Sequence, residues 1–264
     1  MGFVAEIGYI SRKMASNPPG KCCVKGFVHE GKAVGTYEQV FGLDTYVTGA
    51  SNSPNDKVIV ILTDIYGNRL INTLLNADQF AAAGYRVYIP DLFDGDYADI
   101  NDQDRVKLPE WFKRHTPEIT KPISDAFVRS IRKEFNPKFL AVVGYCFGAK
   151  YAIHQIAAAD GVADCCAVAH PSLVTIEEVA AISKDKPILI SAAETDPIFP
   201  PELRAQTEAK LKEIGARYQV DLFSGVSHGF SVRGDITNPV VKYAKEKAFC
   251  DQVYWFDYFA NGGK

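Results

Sequence analysis

From Val58 to Leu62 the chain reads Val-Ile-Val-Ile-Leu with no polar interruption. A strand with one wet face alternates apolar and polar residues, so this short unbroken run predicts a strand covered on both faces, as in a parallel sheet between helices. Comparable runs occupy Tyr85 to Ile89, closed by Pro90, Phe139 to Tyr145, and residues 164–169, 187–193 and 217–223. Helical segments fall between them at 72–83, ending at Gly84, and at 119–134, 147–159 and 201–214, with a long C-terminal helix from about 239. Strands separated by helices at this spacing predict an α/β protein with a doubly wound, mostly parallel sheet. Residues 36–49 differ, because apolar and polar positions alternate around Gly42, which predicts an N-terminal antiparallel hairpin. The first ~35 residues are punctuated by Gly and Pro without a period and are expected to lie as a coat over the rest.

The chain has 264 residues, and one domain spanning 1–264 is expected, since α/β folds of this size form single units. With 47% hydrophobic and 23% charged residues it can bury a full core. A net charge of -3 without runs of like charge leaves no footprint for nucleic acid or an anionic membrane, so the expected partner is a small molecule. The opening Met1-Gly2-Phe3-Val4-Ala5-Glu6 has no secretory or myristoylation pattern, no apolar run reaches the length of a membrane span, and Gly262-Gly263-Lys264 is not a peroxisomal address. A cytoplasmic location is therefore expected. Six cysteines occur as the neighbours Cys22-Cys23 and Cys165-Cys166 plus Cys146 and Cys250. None of these spacings is that of a zinc or redox motif, so reduced thiols are expected, with no metal and no cofactor; the two neighbouring pairs are expected to be structural, with redox sensing a lesser alternative.

In doubly wound sheets ligands bind beyond the carboxyl ends of the strands. Asp64, Cys146, Asp196 and His228 all stand just after predicted strands. Gly144-Tyr145-Cys146-Phe147-Gly148 fits G-x-C-x-G, the cysteine form of the nucleophile elbow, between a predicted strand and a predicted helix. The sharp turn leaves no room for neighbouring β-carbons and lifts the thiol to a helix N-terminus, where the dipole favours a thiolate. His228 follows a strand within Gly225-Val226-Ser227-His228-Gly229-Phe230 and is the candidate base. Asp196, held before Pro197, suits a carboxylate that orients an imidazole, with Glu194 a rival for that role. The order nucleophile, acid, histidine is that of α/β hydrolases.

The strings TDIYGNR, GYCFGAK, AHPS, AAETDPIFP and SHGFSVRGD, with HEGKAVGTYEQVFGLDTYV ahead of them, resemble the dienelactone hydrolase (carboxymethylenebutenolidase-like) family over nearly the whole chain. The resemblance is to the eukaryotic branch with an extra cysteine-bearing N-terminal segment. It implies an α/β-hydrolase fold and a Cys146-Asp196-His228 triad that opens an enol lactone or related ester through a thioester. It also implies an oxyanion hole from the backbone N–H groups of Phe147 and Ile65. Asp64 matches a position where bacterial members carry Glu, whose carboxylate touches the resting thiol, and so is expected to modulate it. Family enzymes hold a substrate carboxylate with arginines, and Arg233 lies near one such position; Arg69 and Arg86 are further candidates without positional support.

His170, in Ala169-His170-Pro171-Ser172, is expected near the mouth of the site, where a structural role suits it at least as well, and Trp111 could line the pocket, although core packing is the preferred reading for it. A different class of reading keeps the fold for a binding or thiol redox-sensing protein without turnover. A nucleotide-dependent enzyme is disfavoured by the lack of G-x-G-x-x-G and Walker A strings.

Overall fold

The computed structural model describes residues 13–49 and 56–263. Among them, one sheet is built from β1 (Thr36–Val40), β2 (Leu43–Thr48), β3 (Lys57–Leu62), β4 (Arg86–Pro90), β5 (Phe139–Tyr145), β6 (Cys165–Ala169), β7 (Ile188–Thr195) and β8 (Tyr218–Ser227). Its spatial order is β1-β2-β4-β3-β5-β6-β7-β8. β2 is antiparallel to β1 and β4, and every pairing from β4 through β8 is parallel. The expected hairpin is β1–β2, turned by Phe41 and Gly42 at φ 49° and 84°. β5 is buried throughout, as its unbroken apolar run requires, whereas the edge strand β1 is mostly exposed.

The helices are α1 (Ile71–Ala82), α2 (Leu108–Arg114), α3 (Pro117–Ser130), α4 (Phe147–His154), α5 (Ile176–Ala180), α6 (Pro201–Glu213), α7 (Phe230–Arg233) and α8 (Pro239–Ala260). α1, α7 and α8 pack together over β2, β4, β6, β7 and β8, while α3 to α6 form a second layer through α4, which lies on β3, β5 and β6. This is the doubly wound arrangement. No helix of the described residues is long and apolar enough to cross a membrane.

Three boundaries differ from expectation. α4 stops at His154, where Gln155 turns its amide to Asp125 at 2.7 Å and Ala157 bridges to Ile182. β8 runs on to Ser227, paired with Thr195 past an irregularity in β7, so the strand itself delivers His228. α2 and α5 lie in segments for which no helix is expected, being too short to show a period.

The N-terminal coat is a strap. Residues 1–12 lie outside the described residues, but from Ala15 onward the chain crosses the loops at the carboxyl ends of β6, β7 and β8. Ala15 and Ser16 N–H donate to the Val174 carbonyl, Asn17 N–H donates to Ile198 O, and Phe27 N–H donates to Arg233 O. Asn72, near the start of α1, takes the His29 N–H on its oxygen at 2.8 Å and donates to Phe27 O.

Candidate active site

The strand-to-helix corner after β5 is set by backbone sterics. A β-carbon on Gly148 would stand 2.0 Å from the Leu62 carbonyl oxygen, and one on Gly144 would stand 2.5 Å from Ala149 Cα. Cys146 between them has φ 50° and ψ −107°, a conformation that costs about 1–3 kcal/mol and persists only where the surroundings enforce it. Here its N–H donates to Ala169 O on β6 and its carbonyl accepts from Ser172 N–H. The fixed corner aims the side chain off the sheet at the N-terminus of α4.

His228 Nε2 lies 3.1 Å from Cys146 Sγ. Its other nitrogen, Nδ1, lies 3.0 and 2.9 Å from the two oxygens of Asp196. A carboxylate only accepts, so Nδ1 carries the proton and donates. Asp196 Oδ1 is fixed in turn by the N–H groups of Ile198 and Phe199 at 2.8 and 3.0 Å. The rival Glu194 is exposed and accepts from Gly225 N–H, away from the imidazole. Burial works against the imidazolium of His228, yet the Cys146 charge and the bond to Asp196 carry its pKa up to about 10. Burial also pushes the Cys146 thiol up, but the hydrogen bond from Cys23 and the charge of His228 outweigh it and hold the thiol well below its ordinary value. The arrangement favours a thiolate–imidazolium pair.

The third group at this point was missed by sequence reasoning. Cys23, expected to be structural, sits in the strap's helical turn Lys21–Val24, with Sγ 3.6 Å from Cys146 Sγ and 3.5 Å from His228 Nε2. It is fully buried, and its bonds to Cys146 and Cys22 hold its thiol well above the ordinary value. Its neighbour Cys22, half-buried, is lowered to about 7 by the bond to Cys23. The Cys-Cys pair in a Gly/Pro-rich segment was visible, but no local pattern tied it to residues more than a hundred positions away.

Asp64 departs from the contact implied for it. Its Oδ2 takes Arg233 Nη1 at 2.5 Å and its Oδ1 takes the Tyr66 N–H at 3.1 Å. The shorter carboxylate is thus directed to a guanidinium, and His228 holds the thiol. Burial raises the Asp64 pKa, opposed by Arg233 and reinforced by the Cys146 charge, so the thiol still acts on it through space. Arg233 is fully buried as well; its Nε donates to Lys25 O of the strap, and its Nη2 has no hydrogen-bond partner. Arg69 pairs with Asp44 at the rim, and Arg86, at the amino end of β4, donates to Gly49 O at the far end of the sheet.

His170 is buried at φ 40° with its ring centroid 5.0 Å from that of His228. Its nitrogens make no well-formed hydrogen bond, and burial lowers its pKa to about 4, outweighing the nearby Cys146 sulfur, which raises it, and keeping it neutral. Trp111 is buried and packs as a core residue, the preferred of the two roles expected for it. Its indole N–H donates to Asp96 O at 2.6 Å and its ring packs edge-on to Phe147, bracing the elbow from behind. Phe147 is the first residue of α4, where a backbone N–H has no carbonyl within the helix, and Ile65 follows Asp64 with its own carbonyl bound by Ala98 N–H. Beside the site, Val28, Tyr66, Arg69, Leu70 and Tyr97 line a cleft of about 370 Å³.

Known proteins share this fold and much of this sequence. The model of the dienelactone hydrolase family matches residues 43–260. The hydrolase tropI of Talaromyces stipitatus is 39% identical over 92% of this chain and 98% of its own length. A carboxymethylenebutenolidase homolog of Mus musculus is 30% identical over 92% of this chain and 98% of its own. Among solved structures, a dienelactone hydrolase from Anabaena variabilis superposes with a TM-score of 0.61 at 10% identity, covering 87% of this chain and 99% of that one. The fold is thus the α/β-hydrolase fold, and the chain is a hydrolase belonging to the dienelactone hydrolase family.

Proposed function

We propose that this chain hydrolyses a small activated carboxylic ester or enol lactone through a thioester on Cys146, with His228 as base and acid and Asp196 as the residue that orients it. The observation that carries the reading is the unbroken line from Cys146 Sγ through His228 to Asp196, with links of 3.1 and 2.9 Å. The thiolate adds to the carbonyl carbon, and the Phe147 and Ile65 N–H groups receive the oxyanion. Collapse expels the alkoxide or enolate, which takes the proton from His228 Nε2; in a lactone it stays attached and the ring opens. Water, deprotonated by the same nitrogen, then adds to the thioester. Expulsion of the thiolate completes the conversion of ester and water to acid and alcohol.

One buried cation with an unpaired donor supports an acidic substrate. Arg233 Nη2 is free to meet a carboxylate, Arg69 stands in the adjoining cleft, and neutral His170 packs the far side of the base. One sheet running from β1 to β8 supports a single unit, and six cysteines without disulfides suit a reducing compartment such as the cytoplasm.

The test is p-nitrophenyl acetate turnover with acid quench and peptide mass mapping. Continuous p-nitrophenol release with an acetyl group on the Cys146 peptide is expected. A single stoichiometric burst would replace the reading with that of a reactive-thiol protein lacking turnover, and an acetyl group on any other residue would remove Cys146.

A further inference from the structure

Cys23 poses a chemical question that hydrolysis does not answer. A strap could cover the elbow with any small apolar residue, yet it places a second sulfur against both Cys146 and His228. Cys23 Sγ, Cys146 Sγ and His228 Nε2 are all buried, and each lies within 4.8 Å of the other two. Their separations are 3.6 Å between the sulfurs and 3.1 and 3.5 Å from sulfur to nitrogen. A tetrahedral zinc with bonds of about 2.3 Å to sulfur and about 2.0 Å to nitrogen sets its ligands about 3.8 Å apart for S···S and about 3.5 Å for S···N. The three donors thus already form one face of such a site, and the largest adjustment needed is a few tenths of an ångström. The outer contacts match too: His228 donates its remaining ring N–H to Asp196, the carboxylate–histidine arrangement that orients a metal-bound imidazole.

We propose that Cys23, Cys146 and His228 form a binding site for a thiophilic cation of the Zn2+ class, which reversibly blocks the hydrolase. Two thiolates and one imidazole select such a cation over Mg2+ or Ca2+, which require oxygen ligands. Two thiolates also balance its charge in a buried setting. The three donor atoms Cys23 Sγ, Cys146 Sγ and His228 Nε2 together hold two protons whether the shared one sits on sulfur or on nitrogen, so binding releases two protons to solvent while Nδ1 keeps its own. The bound cation takes the sulfur that would attack and the nitrogen that would move the proton. Binding follows from donor geometry alone, whereas inhibition rests on the proposed role of Cys146.

The experiment uses the full chain, reduced with a phosphine and freed of reductant under argon. Titration with Co2+ is expected to saturate at one equivalent, with a thiolate-to-cobalt charge-transfer band and the intense visible bands of a four-coordinate ion. Zn2+ should displace it, and ester turnover should fall below a tenth of the metal-free rate and return with chelator. Cys23→Ala should lose about half of the charge-transfer intensity and need at least about 100-fold more Zn2+ for the same fractional inhibition of its own rate. Without any variant, one equivalent of Zn2+ should shield Cys146 from iodoacetamide while the exposed Cys250 is still alkylated. Absence of a one-to-one cobalt complex, or equal Zn2+ sensitivity in wild type and Cys23→Ala, overturns the proposal. A cobalt complex in a protein that turns over no ester would leave the site standing and remove the hydrolytic reading instead.

Discussion

Two cysteines meet at one point in this molecule from opposite kinds of structure. Cys146 stands on a corner between a buried strand and a helix, in a backbone conformation that two flanking glycines make possible. Cys23 stands on a strap with one short helical turn, fastened by hydrogen bonds to loops. The family match covers residues 43–260 and so includes the corner but not the strap. The comparison teaches that the hydrolase core can be built by sheet topology alone, while the environment of its sulfur is completed by a segment with little regular structure.

The largest effect that separates the two is on turnover. Cys146→Ala should lower p-nitrophenyl acetate hydrolysis by about 10⁴-fold or more, the scale for loss of a nucleophile. Cys23→Ala removes one hydrogen bond to a charged sulfur and should cost about ten- to a hundredfold. Equal losses in the two variants would erase the distinction between corner and strap.

Arg233 ties the two regions together, since it pairs with Asp64 beneath the corner and donates to Lys25 of the strap. Arg233→Ala leaves a buried carboxylate unpaired and should lower unfolding free energy by about 3–5 kcal/mol in denaturant titrations. Arg69→Ala, at an exposed pair, should change it by less than about 1 kcal/mol. A mild Arg233 variant would mean that the strap and corner are held independently.

Acidity probes the corner alone. His228 is raised from 6.5 to about 10, so its stabilisation is complete below pH 6.5 and is lost as pH rises toward 10. Cys146 is held well below 9.0, so its stabilisation is complete above pH 9 and is lost as pH falls. Across pH 6.5 to 9 the two slopes, each about 1.4 kcal/mol per unit, cancel. Denaturant midpoints should therefore form a plateau in that window attributable to this pair, falling on both sides, and the plateau edges should move in Cys146→Ala. Unchanged edges would place the ion pair elsewhere.

A small effect is also expected within the strap. Ser16 is buried, and its hydroxyl accepts from Val174 N–H at 2.9 Å. Ser16→Ala should cost about 1 kcal/mol. Hydrogen exchange should quicken in the strap while β5 and α4 keep their protection; faster exchange in both would show that the strap stabilises the corner.

Much of this was legible beforehand, for identifiable reasons. The unbroken runs of β3 and β5 report burial on both faces, and G-x-C-x-G reports a corner that excludes side chains, so local sequence carries both. Cys146, Asp196 and His228 follow strands whose order the fold dictates. The rest depends on contacts that leave no periodic trace. The pairing of Asp64 with Arg233 joins residues 169 positions apart, and nothing near either one indicates that the carboxylate faces a guanidinium instead of a thiol. Trp111 suits core packing or pocket lining by its size alone, and only α2, too short to show a period, carries its indole to the back of Phe147. Cys23 escaped for the same reason, having a partner supplied wholly by topology.

The strap's contacts also set an order in time. Cys23 meets His228 across 205 residues and Lys25 meets Arg233 across 208. A ribosome adding ~5–20 residues per second needs roughly 10–40 s to supply those partners after the strap has been made. Until β8 and α7 exist, the strap can reach Asn72, Cys146, Val174 and Ile198 but not His228 or Arg233, so Cys23 is enclosed long after it is made. Sealing of the site is therefore a late event in the life of each new chain, and it reports that the C-terminal third has folded.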